Sequence, residues 1–247
     1  LRWHRRRSLL QAAAAWAAAG GWMTAQAQSR SNIVELRGDV LRNGRALTAN
    51  DTIATGDRIE TGPGSTAVFA VGHSAFMLRQ NTRVSLEGEE STTVKVLRLL
   101  TGAVASVWGQ GTDRQVTLPT LTAGIRGTGV YAEVFPEQAL RGYFCNCYGT
   151  VDLAAGSESL VSQSVYHQSF WAESAPRKGR LLTPAGAINH TDEELEFLAS
   201  LIGQRTAWQI AGRKGTKDGS GQMNYPAPAG TAKPGRAAPA YGENSPY

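Results

Sequence analysis

Both cysteines of the chain fall in one short stretch, Tyr143-Phe144-Cys145-Asn146-Cys147-Tyr148. Residues two apart on an extended strand share a face, so Cys145 and Cys147 would present neighbouring sulfurs. A bridge between such close neighbours strains the backbone, which argues against a structural staple. Three chemistries stay open for the pair: chelation of Zn or Cu(I), a redox couple with a readily reduced bridge, or two partly buried thiols with no ligand. His167 and His190 lie downstream and would complete a Cys2His2 set if the chain folds back on the cysteine strand. Nothing in the spacing requires this, because the short intervals of zinc fingers are absent.

Other chemistry-bearing residues read as structural. His73 and Ser74, with Asp57 upstream, invite a hydrolase reading, but Ser74 sits in Gly-His-Ser-Ala and not at a strand-to-helix elbow. A β turn is the better account. Asp39, Asp51 and Asp57 neighbour turn residues, where Asp side chains bond the backbone. Arg126, between Gly124 and Gly127, is placed either to bind an anion on convergent backbone N–H groups or to pair with a local carboxylate. Trp108 and Trp171 serve as core or as contacts for a partner. No nucleophile, base and orienting group stand in a recognisable order, so no enzyme is expected.

The elements that must position these residues are short strands. Ile33 to Leu36, then Val40-Leu41, the Asn43-Gly44 turn and Ala46-Leu47 predict an opening hairpin. Further strands are predicted at residues 57–60, 67–71, 75–79, 83–87, 93–100, 103–108 and 114–118, separated by Gly, Asn, Ser and Pro. Residues 116–134, VTLPTLTAGIRGTGVYAEV, place two β segments about a glycine corner at Gly124-Ile125-Arg126-Gly127-Thr128-Gly129. There the glycines permit angles and close approaches that a Cβ would forbid. The fold class is all-β, a solenoid-like or sandwich stack of short strands. Thr191-Asp192-Glu193-Glu194 is a capping box, and Leu195, Leu198, Ala199 and Ile202 continue at helical spacing, predicting one short helix over 192–202.

The ordered combination Gly38-Asp39-Val40, Asn43-Gly44, Gly56-Asp57-Arg58-Ile59-Glu60-Thr61-Gly62, Ser65-Thr66-Ala67-Val68-Phe69 and the motif residues Gly124, Arg126, Gly127 and Thr128 resembles the FecR-type domain, the periplasmic part of the iron dicitrate sensor. The resemblance covers roughly residues 33–153. It implies the solenoid-like version of the stack and a non-enzymatic sensing or protein-interaction module in envelope signalling. In full regulators of that family the domain follows an anti-sigma region and a transmembrane helix, so this chain reads as a stand-alone secreted version. The cysteine segment is not part of the family pattern, and the resemblance assigns it no role. On this reading no cofactor is needed; the alternative is a periplasmic metal-binding or redox protein using Zn or Cu.

The ends of the chain set compartment and charge. Arg5-Arg6-Arg7, an apolar run from Leu9 to Trp22 and Ala25-Gln26-Ala27 read as a signal peptide over residues 1–27, exporting the chain to the periplasm. Arg6-Arg7-Ser8-Leu9-Leu10 fits the twin-arginine pattern except that Arg5 stands where Ser or Thr is usual; the general secretory route is equally open. No later segment has the roughly 20 apolar residues of a membrane span. The net charge of +5 at neutral pH belongs to the signal and to a basic Gly/Pro/Ala-rich tail over 203–247, expected to be disordered. The residues between carry a small negative balance, which excludes a nucleic-acid-binding domain. The expected organisation is a β domain over 28–155, a linking region over 156–202 with its helix, and the tail; the expected partner is a protein of the periplasm or envelope.

Overall fold

Alternation of buried and exposed side chains, as in Arg83–Glu87 where Val84 and Leu86 point inward, lets most of the chain from Ile33 onward form strands. The computed structural model describes residues 31–111 and 114–214. The readings of residues 1–27 as a signal peptide and of the chain beyond 214 as a disordered tail lie outside the described residues.

The strands are β1 (Ile33–Arg37), β2 (Val40–Arg42), β3 (Arg45–Ala46), β4 (Arg58–Thr61), β5 (Thr66–Val71), β6 (Ser74–Leu78), β7 (Arg83–Glu87), β8 (Val96–Trp108), β9 (Arg114–Leu118), β10 (Leu121–Phe135), β11 (Arg141–Ala155), β12 (Glu158–Ser164), β13 (Gln168–Arg177) and β14 (Arg180–Ala185). All belong to one open sheet. The β2–β3 hairpin turns on Asn43 and Gly44, both at positive φ (54° and 76°), as a two-residue primed turn requires.

Three long strands fold the sheet over on itself. The first half of β8 pairs with β7 and, in parallel, with β9, whereas its second half pairs with β6 and β10. Likewise β10 leaves β9 for β8, and β11 leaves β12 for β13. One layer is thus β1-β5-β6-β8-β10-β11-β13-β14 and the other runs from β3 through β2, β4, β7 and the remaining halves to β12. The glycine corner of the sequence is where β10 changes layer. Its pairing with β11 is irregular between Arg126 and Val130, and Gly127 has φ 64°. At Gly129 a Cβ would lie 2.3 Å from the Tyr148 ring.

Between the layers lies the main core, in which Ile59, Leu86, Leu97, Val116 and Leu153 from one layer meet Phe69, Phe76, Val104, Trp108, Ala132 and Phe144 from the other. Phe76 packs edge-on to Trp108 with centroids 5.2 Å apart. Two interdigitating layers around one core make the stack sandwich-like.

The first layer is also covered on its outer face. There the small side chains Ala75, Ala103, Ala105 and Val107 admit a helix, α1 (Asp192–Leu201), which buries Leu195, Leu198 and Ala199. The predicted capping box is formed: the Thr191 hydroxyl accepts from Glu194 N–H, and the Glu194 carboxylate accepts from Thr191 N–H. A second, five-residue helix, α2 (Ala207–Ala211), capped by Thr206, buries Trp208. Two expectations are corrected here. Residues 156–185, read as linking chain, form β12 to β14 of the same sheet, because alternation in this Ser- and Gln-rich stretch is weak in sequence. The body does not end at 202 with one helix, since Trp208 supplies a large apolar anchor that orders a second one.

Candidate metal centre

β11 carries Cys145 and Cys147 to the outer face, while Phe144 between its neighbours points into the main core. The β11–β13 register, Cys145 opposite Ser169 and Asn146 opposite Gln168, continues to set His167 against Cys147. There the His167 N–H donates to the Cys147 carbonyl at 2.9 Å, and the residue takes a positive φ of 46°. That backbone is uncommon for a non-glycine residue and ends β13's approach with the imidazole over the cysteines. His190 arrives from the link between β14 and α1, one residue before the helix cap. Its ring stacks on Tyr131 (4.7 Å, 13°), the cross-strand neighbour of Cys145. Buried Glu133 accepts from Tyr131 O–H and from the Asn189 amide, fixing the residue before His190.

The structure thus brings together the four residues that the sequence left as an open set. One donor atom from each of Cys145, Cys147, His167 and His190 lies within 4.8 Å of all the others, and all four residues are buried. The sulfurs are 3.7 Å apart, Cys145 Sγ is 3.5 Å from His167 Nδ1, and His167 Nδ1 is 3.0 Å from His190 Nε2. A tetrahedron built on Zn–S and Zn–N bonds of about 2.3 and 2.05 Å has S–S, S–N and N–N edges of about 3.8, 3.6 and 3.3 Å. The three observed separations match those edges within about 0.3 Å.

The outward nitrogens fix which lone pairs face inward. His190 Nδ1 lies 2.6 Å from the Ile188 carbonyl, an acceptor that only an N–H can serve. His167 Nε2 lies 3.0 Å from Asp192 Oδ1. With both protons outward, His167 Nδ1 and His190 Nε2 confront each other as acceptors, an arrangement that needs a shared proton or a metal ion between them. Asp192 is in turn held by Tyr166 O–H at 2.8 Å and Lys214 Nζ at 2.5 Å. The carboxylate–histidine pair is the support that metal-ligating imidazoles use. Above the site Trp208 stacks on His167 (5.4 Å, 24°), and Tyr148 and Tyr166 meet Trp208 edge-on.

Electrostatics agree with the geometry. Burial opposes ionisation of Cys145, yet the hydrogen bond from Cys147 and the adjacent imidazoles hold its pKa well below the usual thiol value. Burial also opposes the Lys214 ammonium, which Asp192, Glu193 and Glu196 more than offset, raising its pKa. Cys145, His167 and Asp192 have the connectivity of a nucleophile, base and orienting acid. Cys145 is 0 % exposed and His167 3 %, however, so neither side chain opens to solvent. A closed set of four donors fits a structural metal site.

The other sequence candidates do not join this cluster. Arg126 is paired with Asp152 at 2.6 Å on the surface, resolving its two readings in favour of the local carboxylate. Gly124 and Gly127 shape the β10 bend, and Thr128 is buried within it. Asp57 binds the Asn43 amide and Ala54 N–H, and Asp51 caps Thr48, both as turn formers. Ser74 is buried at the start of β6. Trp108 is core, and Trp171 lies under the Arg141 guanidinium at 3.9 Å. Sequence reasoning missed Asp192, Tyr131, Tyr166 and Trp208 as the supporting shell. Asp192 alone left a signal, as the first residue after a cap preceded by a histidine.

Fold and site together define a two-layer β protein with a buried Cys2His2 cluster beneath a C-terminal helical cover. No protein-family model matches the chain, and no curated protein does. Two solved structures are similar to it, both of a putative anti-sigma factor from Parabacteroides distasonis ATCC 8503, at 1.65 and 2.50 Å resolution. Each is 10% identical with a TM-score of 0.42, over 52% of this chain and 58% of that one. The matched region therefore spans little more than half of the neighbours' length. At this level of likeness no chemistry transfers, and the site's own atoms define it. Among the described residues no helix is long and apolar enough to cross a membrane.

Proposed function

We propose that the protein is a non-enzymatic periplasmic module that holds one zinc ion on Cys145, Cys147, His167 and His190. The observation that carries this reading is the convergence of four buried donors within 4.8 Å of one another, with the S–S, one S–N and the N–N separation close to tetrahedral edge lengths. Two thiolates neutralise the ion's charge, which removes most of the cost of burying it. Zinc fits the mixed sulfur and imidazole set better than Cu(I), for which softer, sulfur-only surroundings are preferred. The setting in envelope signalling, with a protein partner, is supported by the FecR-type order of motifs in the sequence. An open strand edge suits capture of such a partner by strand addition: β12 pairs with β11, and its own Val161 is 61% exposed.

Elemental analysis of the purified protein, with thiol counting, tests the metal. Near one zinc per chain is expected, lost in the Cys145→Ser, Cys147→Ser variant. A metal-free wild type that also takes up no zinc or Co(II) on titration would overturn the reading, and copper in place of zinc would correct the metal.

A further inference from the structure

We infer that the ion is the latch of the C-terminal helical cover, so that zinc occupancy decides whether α1 and α2 stay docked on the outer face of the sheet. This rests on the zinc reading above. The four ligands divide unequally between body and cover. Cys145 and Cys147 belong to β11, and His167, in the turn into β13, is tied to that strand by its N–H bond to the Cys147 carbonyl. His190 alone comes from the segment that leads into α1, and it is separated from the helix by its cap, Thr191. The far end of the cover is tied to the same centre: Trp208 of α2 stacks on His167, and Lys214 beyond it pairs with Asp192, whose other oxygen faces His167. Both ends of the cover thus converge on ligands of one ion.

The segment's own helices cannot hold it in place. α1 has ten residues and α2 five, each too short to persist without tertiary support. Apart from the centre, the cover is held by Leu195, Leu198 and Ala199 against small side chains, by Trp208 against Tyr148 and Tyr166, by Ile188 N–H and the Asn189 amide, which donate to Tyr143 and Glu133, and by Arg79, which binds the Glu194 carboxylate at 2.5 Å and the Asn189 carbonyl. Removing the ion leaves the His167 and His190 acceptors facing each other at 3.0 Å. A shared proton would bridge these two nitrogens but would not tie His190 to the sulfurs, and His190 is the one ligand carried by the cover segment. The face that undocking would uncover is apolar, formed by Ala75, Met77, Ala105 and Val107. The main core between the layers does not depend on the cover.

Hydrogen–deuterium exchange on the full chain tests the latch, with native mass spectrometry reporting zinc in the same samples. Zinc-loaded protein, protein stripped by a chelator, and a His190→Gln variant supplied with zinc are compared. Amides of residues 192–201 and 207–211 should exchange at least tenfold faster in the stripped protein and in the variant, while β5, β6 and the second half of β8 keep their protection. Equal protection of α1 with and without the ion would overturn the latch while leaving zinc binding intact. Loss of protection throughout the sheet on stripping would also overturn it, by making the metal a condition of the whole fold. A protein that takes up no zinc would overturn the metal reading itself.

Discussion

Zinc should raise the melting temperature of the wild-type chain and leave the Cys145→Ser, Cys147→Ser variant unmoved. A ligand that binds only the folded state adds about 2.7 kcal/mol at a free concentration one hundred times its dissociation constant, and about 4.1 kcal/mol at one thousand times. Only the folded chain gathers donors from β11, the β12–β13 turn and the link before α1, and any zinc held by the Cys145/Cys147 pair in the unfolded chain lowers the gain, so these values are upper bounds. The described body runs from residue 31 to 214, a size at which each kcal/mol moves the midpoint by about 2–4 °C. The expected shifts are therefore up to roughly 5–11 °C and 8–16 °C at the two concentrations. Scanning calorimetry in chelator-buffered zinc measures them. Each protein is compared with its own metal-free baseline, so the separate cost of burying two serine hydroxyls drops out. A wild-type midpoint indifferent to buffered zinc, or an equal shift in the double-serine variant, would refute the assignment of these sulfurs as ligands.

Three further outcomes are expected. Asp192→Asn keeps the shape of the His167 partner but removes its charge, and should weaken zinc binding 10- to 100-fold, about 1.4–2.7 kcal/mol, in competition with a chromophoric chelator. Gly129→Ala forces a Cβ to 2.3 Å from Cε1 of the buried Tyr148 ring and should cost about 1–3 kcal/mol in denaturant unfolding; an unchanged midpoint would mean that the ring yields freely. The Glu158 carboxylate accepts from Leu181 and Leu182 N–H, bonds that lower its pKa from the ordinary 4.5, against a smaller opposing effect of burial. A lowered folded-state pKa contributes stability that is full above 4.5 and fades as pH falls through the folded value. Glu158→Gln should therefore lose part of the fall in midpoint seen below pH 4.5, and identical acid limbs for the two proteins would count against that role.

The all-β class, the Asn43-Gly44 hairpin and the helix starting after Thr191 were legible because each is written in local chemistry: a two-residue turn signal, a capping box, apolar residues at helical spacing. The layer change was half legible. Glycines at 124, 127 and 129 announce a bend, but one strand passes through it, since β10 keeps pairing with β11 on both sides. Gly102, at φ 75°, likewise interrupts what reads as two strands without ending β8. β12 to β14 were hidden because their outward residues are mostly Ser, Gln, Glu and Arg and their buried apolar contribution is thin. The same limit governs the site. Two cysteines on one face follow from strand periodicity, whereas the meeting of His167 and His190 depends on a register and a helix dock that are set many residues away.

Burial separates the two chemistries that the cluster's connectivity would allow. A cysteine nucleophile backed by His167 and Asp192 needs an approach path and an imidazole free to accept and release a proton. Here the ring of Trp208 lies over His167, Tyr131 lies under His190, and each imidazole has one nitrogen committed to an outward partner and the other turned on its fellow. A second thiol 3.7 Å from the first is redundant for a nucleophile but is required for a tetrahedron. On the zinc proposal one ion takes up all four inward donors, and a closed aromatic cover suits such a site better than a cleft would. The supporting contacts on Asp192 from Tyr166 and Lys214 then serve to hold a ligand's orientation, a task for which accessibility to solvent would be a disadvantage.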